Sequence, residues 1–249
     1  MDNLHMSETS KEVKGDVPYE GRIIIYIIKA DKTSYINYMK PLIFLEELKI
    51  DYTISVIDTK SQWYYQVHPE RYVPALKGWR FATEKEITVF ESTACLQYLV
   101  DRYDPAGVWN GKTPAEKAAV LSWTAYQTAG LGPTAKYWLY FLMGYPDRQN
   151  PESLPKTVNK LHQNCVRQWQ ILEQRLSLPG QDYIALPDRP SIADISYFPF
   201  AMPWMFEFLG VSISEYPCIR RWGERMVSRP AVKAVLERGP TYGHSLGEE

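Results

Sequence analysis

Cysteine is scarce in this chain of 249 residues: Cys95, Cys165 and Cys218 stand far apart, and no C-x-x-C pair occurs. This spacing argues against a disulfide framework and favours a reducing compartment. The four histidines are scattered, and no group of His and Cys has the spacing of metal ligands. We therefore expect neither a structural metal nor a catalytic one.

Long apolar runs and an excess of one charge are also missing. The first apolar run, residues 23–28, is far too short to span a bilayer, which takes about 20 residues. Residues 1–21 are polar and lack the apolar core of a signal peptide, so we expect a flexible tail and, by default, a cytoplasmic protein. A formal net charge of -1 indicates neither nucleic acid nor a membrane surface as a partner.

The first hundred residues alternate between strand and helix patterns. A buried β-branched strand, an apolar-faced helix and an alternating strand come first, and two short strands and a helix follow. The predicted elements are β 22–29, α 34–48, β 52–57, β 73–76, β 87–90 and α 91–103. We expect Pro41 in the first turn of its helix, where a missing N–H costs little. The order predicts an α/β, thioredoxin-like domain over residues 22–104.

Helical periodicity dominates the rest of the chain. A linker rich in Pro, Gly and Asn at 104–113 precedes it. The predicted helices are 114–126, with an interruption at 130–133, then 157–176, 191–208, 218–227 and 231–238. The second domain is therefore predicted to be all-α over residues 113–240.

Three short motifs mark this α/β half followed by a helical half. Val73-Pro74 precedes a short strand, Glu91-Ser92 opens a helix, and Ser191-x-x-Asp194 opens another. Together they resemble the glutathione transferase family over residues 22–240. The longer strings 34–37, 131–141 and 188–194 are similar to the fungal transferases of gliotoxin-type, or epidithiodiketopiperazine, biosynthesis.

This resemblance implies a glutathione transferase fold and an enzyme that uses glutathione as co-substrate, without a metal. In the gliotoxin-type group, glutathione adds to an oxidised, imine-like diketopiperazine and forms carbon–sulfur bonds. A homodimer is implied as well. Two alternatives stay open: a general detoxifying transferase or peroxidase, and a non-catalytic binding module on the same scaffold.

The chemical task is to ionise a thiol. A free thiol has a pKa of about 8.5, and lowering it by about two units requires about 2.7 kcal/mol of preferential thiolate binding. Ser34 and Asn37 can each donate a hydrogen bond near a helix start, where an anion is favoured. The resemblance makes them the activating pair. Ser34 could instead only cap the helix, and Tyr35 is the main rival donor.

The resemblance also assigns the remaining site residues. Val73 would pair its backbone with the cysteinyl part of glutathione, with Pro74 fixing the turn. Glu91 and Ser92 would hold the γ-glutamyl end. Lys136 would stabilise the thiolate or the charge on an attacked imine, although a solvated helix lysine is the ordinary alternative.

Two further sets of residues have different expected roles. Asp194 is expected to be structural, as the cap of a buried helix. A small hydrophobic electrophile would meet aromatic side chains of the helical domain, although such a stripe is often core. The candidates are Tyr137, Trp138, Tyr140, Phe141, Trp204 and Phe206.

Overall fold

The computed structural model describes residues 11–30, 35–79 and 86–247. The chain divides into two compact units. The first contains the described residues up to Gly107 together with those from Val227 on, and the second is Val108–Met226. The C-terminal segment from Val227, which we expected in the helical domain, thus belongs with the α/β unit.

A five-stranded mixed sheet forms the centre of the first unit. The strands are β1 (Lys11–Lys14), β2 (Ile23–Ile27), β3 (Tyr52–Val56), β4 (Ala75–Trp79) and β5 (Glu86–Phe90), in the order β1-β3-β2-β4-β5. Strands β1 and β2 run parallel to β3, while β4 is antiparallel to β2 and β5. This is the predicted thioredoxin-like order, with β1 added at the edge.

Strand β1 corrects the predicted tail at Lys11–Lys14, which pair with Thr53–Val56. The segment has one apolar residue, Val13, and its ends are exposed. An edge strand of this kind has no buried face to impose an alternating pattern, so no strand is predicted there from the residues alone.

Among the described residues of the first unit, three α-helices pack with the sheet: α1 (Ile36–Leu48), α2 (Ser92–Tyr103) and α9 (Pro230–Arg238). The α1 residues from Tyr38 to Leu45 are all buried, as expected for a helix that is apolar on every side. Pro41 lies inside α1 and not in its first turn, so that prediction was wrong. Because proline has no N–H, the carbonyl of Asn37 lacks its helical donor.

Helix α9 explains why the end of the chain belongs with the first unit. It packs against α1. Arg229, just before α9, donates from Nε and Nη2 to the Glu47 carboxylate at 2.5 and 2.8 Å. Beyond α9, the main-chain N–H of Ala30 donates to the carbonyl of Tyr242, whose side chain is fully buried. These bonds fix the C-terminal segment against the end of α1 and against the loop that follows β2.

The second unit is helical in its described elements, which are α3 (Pro114–Ala129), α4 (Leu131–Met143), α5 (Pro155–Leu176), α6 (Ile192–Tyr197), α7 (Pro203–Phe208) and α8 (Pro217–Val227). The predicted interruption is confirmed at Gly130, between α3 and α4. The single helix predicted over 191–208 is wrong. It is two helices separated by a 3-10 turn, with Pro199 in the turn and Pro203 at the start of α7.

Asp194 is the polar centre of the second unit. Its side chain is fully buried and accepts hydrogen bonds from Ser191 N, Ser191 Oγ, Ile184 N and Trp222 Nε1 at 2.8–2.9 Å. Burial raises the pKa of the Asp194 carboxyl, and these donors act in the opposite direction. The predicted structural role is confirmed: Ser191 and Asp194 form a capping box at the start of α6.

Candidate active site

Sheet register brings Val73-Pro74 and Glu91-Ser92 to the same end of the strands, which is called the site edge. Tyr26 of β2 pairs with Ala75 of β4, which pairs in turn with Phe90 of β5. Since β4 is antiparallel to both neighbours, its start lies beside the ends of β2 and β5. Val73-Pro74 precedes that start, and Glu91-Ser92 follows the end of β5. The start of α1 follows β2 at the same edge.

Asn37 is the second residue of α1, and its side chain is exposed. The first turn of a helix has main-chain N–H groups without helical partners, so an anion is stabilised there. Asn37 can add an amide donor at this position. Its predicted partner Ser34 lies outside the described residues.

Tyr35, the rival donor, is the N-cap residue of α1 and is partly buried. Its ring lies against the backbone of Gly239, where a Cβ atom would come within 3.1 Å of it. The Tyr38 ring is 6.3 Å away, centroid to centroid. Burial raises the pKa of Tyr35. This environment gives Tyr35 a packing role between α1 and the end of α9.

Val73 and Pro74 form the turn that precedes β4. The Val73–Pro74 peptide bond is cis, Val73 is half-buried and Pro74 is buried. The Tyr64 hydroxyl donates to the carbonyl of Tyr72 at 2.9 Å and fixes the segment that leads into the turn. Val73 therefore lies at the site edge, directly before β4.

Glu91 and Ser92 form the start of α2. Glu91 is the N-cap residue, with a φ of 74° that a non-glycine residue seldom adopts. Such backbone strain costs about 1–3 kcal/mol and is concentrated at ligand sites. The Glu91 side chain is 63% exposed, whereas Ser92 is 7% exposed. An exposed carboxylate thus lies beside a hydroxyl at a helix N-terminus.

Two residues that sequence reasoning did not select complete this region. Lys40 of α1 is 2% exposed, and its Nζ donates to Ser92 Oγ at 3.4 Å. His68 is also buried, and its Nδ1 accepts from the N–H of Glu70. This bond leaves the ring proton on Nε2, which is 3.8 Å from the Glu91 carboxylate. Burial lowers the pKa of His68.

A sequence signal existed for Lys40 but not for His68. Lys40 interrupts the apolar run from Tyr38 to Leu45, and a cation inside such a run is buried if the helix is buried on all sides. His68 lies in a polar loop where nothing in the pattern indicates burial. The sequence therefore did not identify His68 as a neighbour of Glu91.

In the second unit, Lys136 is an exposed residue of α4, with Nζ 5.9 Å from the centroid of the Tyr137 ring. Its catalytic role stays a prediction. Among the aromatic candidates, Trp138 and Phe206 are core residues, because Phe206 stacks on Trp169 at 3.8 Å and Trp138 is buried beside Phe208. Tyr137 and Tyr140 are exposed on α4 and can contact a ligand.

The described residues contain neither a metal-binding cluster nor a membrane-spanning helix. Within residues 11–30, 35–79 and 86–247, no group of three or more His, Cys, Asp or Glu side chains could hold a metal ion. In the same residues, no helix combines the length and apolarity needed to cross a bilayer.

The fold and the site define a class: a thioredoxin-like unit whose edge can hold an anionic peptide, followed by a helical unit. Family comparisons agree with this class. The N-terminal domain family of glutathione S-transferases matches residues 37–102, and the C-terminal domain family matches residues 134–230.

Individual relatives indicate a group of fungal proteins within this class. The glutathione S-transferase aclG of Aspergillus oryzae is 65% identical over 91% of this chain and 99% of its own length. The trimodular acetylaranotin synthesis protein ataIMG of Aspergillus terreus is 55% identical over 86% of this chain, which corresponds to only 21% of that protein. A solved structure, the glutathione transferase URE2P6 of Phanerochaete chrysosporium in complex with oxidized glutathione, is 27% identical. It covers 88% of this chain and 96% of its own, with a TM-score of 0.74.

This chain belongs to the glutathione S-transferase family and, within it, is similar to fungal transferases of the kind that the sequence indicated. It is an enzyme whose co-substrate is glutathione. The predicted fold, a thioredoxin-like α/β domain with an all-α domain, is confirmed.

Proposed function

We propose that this transferase joins glutathione to an oxidised, imine-like diketopiperazine, with Asn37 and Ser34 activating the thiol. The observation that carries the proposal is the register that brings Val73-Pro74 and Glu91-Ser92 to the same end of the strands, together with the contact of Lys40 in α1 with Ser92. Each of these three segments offers a different part of glutathione a matching partner.

Glutathione would bind along this edge as an extended peptide. The backbone of Val73 would pair with its cysteinyl residue in the manner of an added strand. At its γ-glutamyl end, the α-carboxylate would accept from Ser92 at the helix N-terminus, and the ammonium would donate to Glu91. The cysteinyl sulfur would then lie towards the start of α1.

Asn37 and Ser34 would keep that sulfur ionised. A charge-assisted hydrogen bond contributes about 1.5–3 kcal/mol, and the helix N-terminus adds about 0.3–1 kcal/mol. Together these reach the free energy needed to lower a thiol pKa by about two units. The three cysteines of the chain have no part in this step, because all are buried.

The electrophile is proposed from the relatives. The printed name of ataIMG connects that protein with acetylaranotin synthesis, and its 55% identical segment covers most of this chain. In the proposed reaction, the thiolate forms a bond to the imine carbon while the C=N π electrons move to nitrogen, which takes up a proton. Lys136 would stabilise the developing charge, and Tyr137 and Tyr140 would pack against the ring.

Replacing Asn37 by Ala tests the activating role. We expect kcat/KM to fall by about 10–100-fold, which corresponds to the loss of about 1.4–2.7 kcal/mol of transition-state binding. The ultraviolet absorbance of bound thiolate should titrate at a higher pH in the variant. Unchanged turnover and an unchanged thiolate titration in Asn37→Ala would reject the assignment. Ser34→Ala, tested in the same way, separates the contributions of the two donors.

A substrate panel distinguishes the proposal from a general detoxifying transferase or peroxidase. The diketopiperazine imine should be the preferred electrophile over aryl halides and hydroperoxides, measured as kcat/KM. Comparable rates on all three classes would favour the general transferase. Calorimetry that shows no glutathione binding would favour the non-catalytic module.

We also propose that the protein is a homodimer, on family likeness. Its three free cysteines favour a reducing compartment, which we propose is the cytoplasm. Light scattering after gel filtration should give twice the chain mass of 28.9 kDa. A monomer mass over the micromolar range would contradict the dimer, and a fluorescent fusion in a fungal cell tests the compartment.

A further inference from the structure

We propose that Lys40 is a positioning residue that fixes the Ser92 hydroxyl as a donor to the γ-glutamyl carboxylate of glutathione, so that glutathione affinity depends on the protonation of Lys40. This inference rests on the proposed glutathione site. It concerns a lysine that is too deeply buried to touch the ligand itself.

The direction of the hydrogen bond between Lys40 and Ser92 determines where the Ser92 hydroxyl proton points. An ammonium group has three donors and no acceptor, so in the 3.4 Å contact Lys40 Nζ donates and Ser92 Oγ accepts. The hydroxyl proton of Ser92 is then directed away from Lys40. Ser92 is the first residue of α2 and is 7% exposed, so its proton can reach an anion at the helix N-terminus. A neutral amine could instead accept that proton and remove the donor.

Charge interactions couple the protonation of Lys40 to the binding of a carboxylate. Lys40 is 2% exposed, and a buried cation is stabilised by a nearby anion. Glu91 acts in this way from the N-cap position of α2, but its carboxylate is exposed and therefore partly solvated. A ligand carboxylate held by Ser92 would bring a second negative charge close to Lys40. Ligand binding and protonation of Lys40 would thus reinforce each other.

Several titratable or charged groups lie on the elements around α1. Those on the neighbouring elements are Glu91, Cys95, His68, Arg229, Arg238, Tyr52 and Tyr242. Arg229 pairs with Glu47, and Tyr52 donates to Glu46, both at the C-terminal end of α1. The pKa of Cys95 is raised by burial, so this thiol is neutral. Among these described groups, Glu91 favours the charged form of Lys40.

The pH window follows from the sign of the shift. Burial lowers the pKa of Lys40 to about 7 in the free protein. A bound carboxylate raises that pKa, so binding is tightest below pH 7, where Lys40 is already protonated. Affinity then falls as the pH rises through the pKa of the free protein.

Calorimetry with S-methylglutathione tests the inference without interference from thiol ionisation. Between about pH 6.5 and about pH 8.5 we expect the wild-type affinity to fall about tenfold. Lys40→Met should bind about tenfold more weakly at the lower pH and show a flat profile. Ser92→Ala, which keeps Lys40, should also bind weakly with a flat profile. Lys14→Met, an exposed lysine of β1, is the matched control and should behave as wild type.

Thermal unfolding separates this role from a structural one. Replacing a buried charge by an apolar residue of similar length is often neutral or stabilising, so Lys40→Met should keep its melting temperature. If Lys40→Met does not fold, a retained pH dependence in Ser92→Ala overturns the inference. A wild-type profile in Lys40→Met also overturns it while leaving the glutathione site intact. Failure of the wild type to bind S-methylglutathione at any pH would reject the site itself and the inference with it.

Discussion

Asp194 shows how much one buried side chain can hold together. Its two oxygens accept from the main chain at Ser191 and Ile184 and from the Trp222 indole, which come from different segments of the second unit. Removing the carboxylate would leave these donors buried without an acceptor. Each unsatisfied buried donor costs about 1–3 kcal/mol.

We therefore expect Asp194→Ala to lower the free energy of unfolding by about 3–5 kcal/mol, measured by urea denaturation. Asp188→Ala is the matched control, because Asp188 is exposed and forms a surface pair with Arg189. The control should lose no more than about 1 kcal/mol. Equal losses in the two variants would contradict the structural role of Asp194.

The three thiols permit a second prediction at the residue scale. Cys95, Cys165 and Cys218 are free and buried. Burial raises the pKa of Cys165 to about 12 and raises that of Cys95 and Cys218 as well. Since the thiolate is the reactive form, the native protein should react very slowly with a disulfide reagent at pH 8.

All three thiols should react at once after denaturation, and treatment of the native enzyme with iodoacetamide should leave its transferase activity unchanged. Rapid release of one equivalent from the native protein, with loss of activity, would indicate a cysteine in the mechanism.

At the scale of elements, the contact between Gly239 and Tyr35 connects the end of α9 with the start of α1. A Cβ atom on Gly239 would lie 3.1 Å from the Tyr35 ring, closer than ordinary contact. Gly239→Ala should therefore displace Tyr35 and, with it, the first turn that carries Asn37. We expect kcat/KM to fall by about threefold to tenfold, with a loss of stability near 1 kcal/mol.

Gly223→Ala is the control for this variant. Gly223 lies inside α8 with open space at the Cβ position, so the substitution should stabilise the protein by about 0.5–1 kcal/mol and leave kcat/KM unchanged. If Gly239→Ala matched the control in both measurements, the contact would have no effect on the site.

Predicting elements from the sequence worked where the apolar pattern is strong and regular. The β2 run, α1 and α5 have strong apolar patterns. The motifs Val73-Pro74 and Glu91-Ser92 indicate the candidate site from the sequence alone. The failures have two causes. The break within 191–208 did have a local signal, because Pro199 and Pro203 interrupt a helix. Strand β1 and the interior position of Pro41 depend on what packs around a segment, which no local pattern records.

The candidate site was predictable only in part for the same reason. Motif resemblance can select residues at the proposed glutathione site, such as Ser92. Lys40 acts from behind Ser92, and its relevance depends on a 3.4 Å contact between residues that are 52 positions apart. Contacts between residues so far apart in sequence are determined by the fold and not by adjacent residues.

At the scale of the whole molecule, the C-terminal segment is a structural part of the first unit. Besides the bond from Ala30 to Tyr242, His244 Nε2 lies 2.9 Å from the carbonyl of Ala30, and Gly243 N donates to Glu12. Deleting residues 240–249 would remove the buried Tyr242 ring. We expect a loss of about 3–5 kcal/mol in unfolding free energy, by analogy with truncating a buried aromatic side chain.

Deleting only residues 247–249 is the control and should change neither the unfolding free energy nor glutathione affinity. A longer deletion that unfolds like the wild type would show that the segment after α9 is dispensable.

The contact between β1 and the C-terminal segment makes a circular permutation of the chain feasible. Glu12 of β1 accepts from both Gly243 and Ser245, so the first and last described elements meet at one edge of the sheet. A short flexible linker could therefore connect residue 247 to residue 11, and new ends could be opened in the exposed loop at 147–151. Such a circular permutant should reach the same fold, because every pairing in the sheet would be kept.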